Sequence, residues 1–215
     1  MNDMPELVRQ AIESASNEPC QAVMLAYSGR TLKWHIDEEY FSARYNILYG
    51  GFDYCVMQER AHPMPPYEET SQSVIRLTEL CRRSGTVPVL FETWAEKAKP
   101  ENQAAMNERY RMLSLKCGAL LAPVGEVWSA AAKELKDADL YYKDGEHASL
   151  FGTYLTATVL TKTLVGKLPD KDFLKTLDFT VPGRFQPVNE NKEEETVAVP
   201  VEISGVIRRS VDLII

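Results

Sequence analysis

Asp144 and His147 stand three residues apart in YYKDGEHASLFGTYLTATVLTKTL, which runs from Tyr141 to Leu164. In a D-x-x-H turn the carboxylate can fold back onto the imidazole, select its tautomer and stabilise the protonated ring. That is the orienting half of a nucleophile-His-Asp relay. The same residues also suit a polar helix start, in which Asp144 caps backbone amides and His147 is solvated. Asp144-Gly145 predicts the turn itself, and Leu150, Phe151, Tyr154, Leu155 and the run 157–160 predict a helix too apolar to lie on a surface. Such a helix would hold the turn rigidly against a core.

Two further positions could serve an acyl-transfer reaction. Gly29 follows the apolar run QAVMLAY, and Gln58 follows FDYCVM. Backbone amides beside a glycine and a side-chain amide are suitable donors to an oxyanion, while an Asp-His pair could activate a hydroxyl. Each also has a plainer use, Gly29 as a turn glycine and Gln58 as a polar loop residue. Ser28 reads as a turn residue and Ser149 as a helix-start residue, and neither is taken as a nucleophile. The chain has no G-x-G-x-x-G, no G-x-x-x-x-G-K-[ST] and no G-x-S-x-G, so the glycine cradles for dinucleotides and phosphates and the nucleophile elbow are all absent.

The elements that must position these residues follow from apolar spacing. Asn2 or Asp3 can cap a first helix with Pro5 in its first turn and Leu7, Val8, Ala11, Ile12 and Ala15 along it to about Ser16. Short apolar runs at 21–27, 52–57, 87–91 and 119–124 predict four strands. They alternate with helices over about 37–48, from Thr70 to Ser84, through Met106 to Cys117, and over 126–135. The three prolines of QERAHPMPPYEE exclude regular structure there. Strands alternating with helices predict an α/β fold, a doubly wound parallel sheet covered on both faces. Ligands of such sheets sit outside the carboxyl ends of the strands, where Ser28-Gly29, Gln58-Glu59 and Glu92-Thr93-Trp94 fall on one rim. Beyond Lys167 the pattern weakens. PVNENKEEET reads as a solvated charge run, and VPVEISGVIRRSVDLII as either a terminal helix or a β segment.

At 215 residues the chain suits a single domain, with 168–215 as a less certain C-terminal extension. A net charge of -7 argues against nucleic-acid and anionic-membrane partners, and points to a neutral or weakly charged small molecule. Cys20, Cys55, Cys81 and Cys117 are widely spaced within apolar stretches, which suits reduced, buried thiols of a cytoplasmic protein better than a disulfide or metal framework. No metal or cofactor is expected. There is no apolar stretch of membrane-spanning length, and MNDMPELVRQ lacks the apolar centre of a signal peptide.

In YSGRTLKWH from Tyr27, FDYCVMQERAHP from Phe52, LFETWA from Leu90 and YYKDGEHASLFGTYLTA from Tyr141, the sequence resembles the SGNH (GDSL-type) hydrolases, with similarity to a bacterial branch of them. The blocks span most of residues 1–166. The resemblance implies a flavodoxin-like fold and a serine hydrolase acting on an ester, which could be an O-acyl group on a carbohydrate. Asp144 is implied as the orienting acid, His147 as the general base, and Gly29 and Gln58 as oxyanion donors. Three departures stand out. Gln58-Glu59 occupies the place of a G-x-N-D asparagine, and Ala148 replaces a proline after the histidine. NDMPELVRQAIESA is similar to the helix that follows the family's nucleophile block, so the serine and a central first strand are expected upstream of Met1. Without that strand the sheet is expected to close in a compromised way and the chain to fold poorly. A non-catalytic module binding a small molecule or carbohydrate on the same fold is the other expectation. Trp34, Trp94 and Tyr67 suit either a sugar-facing pocket or packing.

Overall fold

A computed structural model describes residues 4–135, 138–174 and 198–215. The chain divides into two compact units, one of residues 1–23 with 130–215 and one of residues 24–129. The fold class is α/β with a parallel sheet, as its strand-helix alternation predicts.

The unit of residues 24–129 holds the sheet. Its strands are β1 (Tyr54–Met57), β2 (Val87–Phe91) and β3 (Leu120–Ala122), parallel and in the order β1-β2-β3. Tyr54 pairs with Val87 and Val56 with Val89, and Val89 pairs in turn with Leu120. The sequence leads from strand to strand through α4 (Tyr67–Ser84) and α5 (Asn102–Cys117), each ended by a glycine in the left-handed conformation, Gly85 and Gly118. Met57 and Leu90 on one sheet face pack with Val74, Leu77 and Cys81 of α4 and with Tyr110, Leu113 and Cys117 of α5. Two short helices, α2 (Leu32–Asp37) and α3 (Tyr40–Tyr49), add Leu32, Ile36 and Ile47 to that core. They replace the one helix expected over 37–48, because the chain turns between Asp37 and Tyr40.

One expected strand is not formed. Gln21 to Tyr27 has no regular hydrogen bonding, and Val23 and Met24 are 57% and 54% exposed. An apolar run becomes a strand only when a neighbouring strand takes up its amides and carbonyls. None of the three strands pairs with this run, so its composition alone does not suffice.

The other unit is helical in its described residues. α1 (Met4–Ser16) and α8 (Val201–Ile214) pack on α7 (Leu150–Val165). α6 (Val124–Glu134) contributes the buried Ala131 at its C-terminal end. α7 is buried on almost every side. Its Tyr154, Leu155, Ala157 and Val159 are fully covered, as are Leu7 and Ala11 of α1 and Ile207 and Val211 of α8. Two of its buried threonines, Thr156 and Thr158, are tolerated in this setting because their hydroxyls donate to the carbonyls of Gly152 and Tyr154, one turn back, at 2.9 and 2.8 Å. The terminal segment resolves as helix rather than strand. The charged stretch PVNENKEEET lies outside the described residues.

None of the four cysteines forms a disulfide; Cys81 and Cys117 are buried and Cys20 and Cys55 half-buried. Among the described residues no helix is long and apolar enough to cross a membrane.

Candidate active site

Asp144 and His147 meet as their spacing allows. Leu140 to Ser149 forms a tight hairpin: the Tyr142 amide donates to the His147 carbonyl at 2.7 Å, the Ser149 amide to the Leu140 carbonyl at 2.8 Å, and Tyr141 bridges Ala148. Gly145 takes φ +73 at its tip, a conformation that costs glycine little. The Asp144 carboxylate then does two things at once. Oδ1 accepts the amides of Glu146 and His147, both at 2.9 Å, while Oδ2 meets His147 Nδ1 at 2.8 Å. The two amides, followed by the imidazole, hold the Asp144 carboxyl down at about 2, so it is ionised at neutral pH.

A carboxylate can only accept, so Nδ1 carries the proton in the neutral ring and Nε2 keeps its lone pair. The His147 side chain is 61% exposed. Asp144 thus caps the turn and contacts the ring with the same carboxylate. The Ser149 hydroxyl is committed to the helix start, donating to the Asp139 carbonyl at 2.6 Å and accepting the Gly152 amide at 3.3 Å as the N-cap of α7. Among the described residues no serine hydroxyl is hydrogen-bonded to His147.

Gly29 and Gln58 lie in the sheet-bearing unit, on loops that the structure ties together through a residue whose importance the sequence did not reveal. Glu59, next to Gln58 at the carboxyl end of β1, is 2% exposed. Its Oε1 accepts the Leu32 amide at 3.2 Å and the Arg60 amide at 2.8 Å. Leu32 is three residues beyond Gly29, so one buried carboxylate joins the turn of Gly29 to the loop of Gln58. Burial pushes the Glu59 carboxyl up. Gly29 sits at φ +69 in a turn closed by the Arg30 amide on the Tyr27 carbonyl at 3.2 Å, and both Gly29 and Gln58 are exposed. The structure therefore forms two pairs, Asp144 with His147 in one unit and the loops of Gly29 and Gln58 in the other.

Glu92 repeats the arrangement at the end of β2. It is fully buried, and its Oε1 accepts the Glu126 amide in the first turn of α6 at 2.9 Å while its Oε2 has no hydrogen-bond partner among the described residues. Burial pushes its carboxyl up to about 7. Both glutamates follow an apolar strand and precede a polar loop, and that position at the carboxyl rim was the available signal. Gly125 is needed beside Glu92, because a Cβ there would lie 2.2 Å from the Thr93 carbonyl oxygen. Trp94 stacks on the buried Trp128 at 4.1 Å and 10°, which gives it a packing use, and Tyr67 lies under Arg109 and Lys116. Among the described residues no three His, Cys, Asp or Glu side chains converge as metal ligands.

The sequence matches no protein-family model and no curated protein. Among solved structures, the chain is similar to a Slackia heliotrinireducens protein that bears the name "putative SGNH hydrolase", with a TM-score of 0.63 and 26% identity over 75% of this chain and 90% of that one. A DUF4886 family protein from Bacteroides uniformis shares the fold at a TM-score of 0.56 and 15% identity, over 80% of this chain and 65% of that one. The architecture is that of an SGNH-like α/β fold, and the hydrolase likeness rests on the first of these neighbours.

Proposed function

We propose that the chain is the scaffold of an SGNH-type serine hydrolase acting on an ester, with a carbohydrate O-acyl ester as one suitable substrate. The observation that carries this reading is the Asp144 to His147 contact of 2.8 Å, in which a carboxylate anchored by two amides leaves Nε2 as the basic atom. In this role Nε2 takes the proton of a serine hydroxyl as the oxygen attacks the acyl carbonyl, then returns it to the departing alkoxide. A water activated by the same nitrogen hydrolyses the acyl-enzyme. Asp144 keeps the ring in the required tautomer and stabilises the imidazolium. The Gly29 amide and the Gln58 side-chain amide donate to the oxyanion. No cofactor takes part.

The competing reading is a binding module that keeps the fold without chemistry. It is favoured by the absence, among the described residues, of a serine hydroxyl bonded to His147. Hydrolysis of a short-chain aryl ester, measured for the 215-residue chain and for the longest in-frame product of its gene, separates the two. Activity in either that His147→Ala removes supports the hydrolase. No activity in both, or equal rates with and without His147, favours the binding module.

A further inference from the structure

The loop that carries Gly29 continues into an arginine that the hydrolase reading leaves without a task. The Arg30 guanidinium carbon lies 5.1 Å from the centre of the Trp34 ring, and Arg30 is exposed. Trp34 is itself fixed. Tyr27 meets it edge-on at 4.8 Å, His35 lies at 5.2 Å and 83°, and its backbone amide donates to Thr31 Oγ1 at 3.1 Å in the first turn of α2.

The Arg30 head group is held over an aromatic face with its charge unspent. Among the described residues no carboxylate lies within ion-pair distance of it, in a chain with 31 acidic and 24 basic residues. Arg9 and Arg111, in contrast, are paired with Glu6 and Glu126 at 2.5 and 2.7 Å. Stacking occupies the π face of a guanidinium and leaves its in-plane N–H donors available, and those donors match the two oxygens of a carboxylate. The adjoining space is open, since a Cβ on Gly29 would meet nothing within 4 Å. The Glu59 bond to the Leu32 amide holds the far end of the loop in place.

We infer that Arg30, held on Trp34, binds a carboxylate group of a small monoanionic ligand. A polyanion is disfavoured, because one arginine would face the repulsion of a protein of net charge -7. The ligand's identity as the acidic part of an ester substrate rests on the hydrolase reading, whereas the carboxylate site does not. This narrows the neutral or weakly charged substrate expected from composition to one that carries a single acidic group.

The test is a titration of the ¹⁵N-labelled chain with sodium benzoate and, separately, with benzamide at fixed ionic strength, read at the Trp34 indole N–H and the Gly29 and Arg30 amides. Benzoate is expected to shift these signals saturably, and benzamide to bind about ten- to a hundredfold more weakly. Arg30→Gln is expected to abolish the saturable benzoate shift while the rest of the spectrum stays in place, and Arg30→Lys to retain weakened binding. Absence of saturable benzoate binding, equal binding of the two probes, or undiminished benzoate binding by Arg30→Gln would overturn the assignment. Neither probe is turned over, so failure of ester hydrolysis leaves this result standing, and the converse also holds.

Discussion

The Leu32 amide and the Glu59 carboxylate, 27 residues apart, are joined at 3.2 Å by a bond that is almost wholly buried. It makes the turn of Gly29 and the loop of Gln58 one mechanical piece. Removing the acceptor leaves the Leu32 and Arg60 amides without their partner. Glu59→Ala should therefore cost about 2 kcal/mol or more in urea unfolding and speed amide exchange at Leu32. Glu59→Gln keeps a carbonyl oxygen in the same place and should stay within about 1 kcal/mol of the parent. Equal losses in the two variants would refute the acceptor role.

Glu92 links stability to pH. Its folded-state value of about 7 exceeds the ordinary 4.5, so the folded protein holds a proton that the unfolded chain releases between those values. The contribution is fully present below the unfolded value and is lost as pH rises through the folded one. The difference is about 3 kcal/mol between pH 4.5 and 7. Glu59, also raised by burial, acts in the same direction. Unfolding free energies measured across this range should fall as pH rises, and Glu92→Gln should flatten the slope. Asp144 acts with the opposite sign at lower pH, its contribution being lost as pH falls below the ordinary carboxylate value toward about 2.

Two glycines should respond to alanine in opposite ways. At Gly125 a Cβ would press on the Thr93 carbonyl oxygen at 2.2 Å, and backbone cannot move aside as a flexible side chain can. Gly125→Ala should destabilise by about 1–3 kcal/mol. At Gly205, inside α8, the nearest atom would be Arg209 Nη1 at 3.5 Å, an ordinary contact. Gly205→Ala should stabilise by about 0.5–1 kcal/mol. Thermal unfolding of the pair checks both signs.

In the hydrolase reading, Asp144→Asn separates the two duties of that side chain. An asparagine oxygen can still accept the Glu146 and His147 amides, so the hairpin should survive by circular dichroism and melting temperature. The negative charge that orients and stabilises the imidazolium is gone, and ester hydrolysis should fall by roughly a hundred- to ten-thousandfold. Unchanged turnover would remove Asp144 from the mechanism.

What the sequence determined by itself is local. The spacing of Asp144 and His147, the turn at Gly145 and the cap at Ser149 are set within ten residues, and the structure forms all three. Helices α1, α4, α5 and α7 and the strand Val87–Phe91 were equally legible, because apolar spacing reports directly on a buried face. Tertiary structure decided the rest. Gln21 to Tyr27 has the composition of a strand but pairs with none of the three strands, and a strand exists only through pairing. Glu59 and Glu92 look like ordinary loop acids until the fold buries them against amides from residues 27 and 34 positions away. A charge far along the chain acquires its role only when packing removes the water around it.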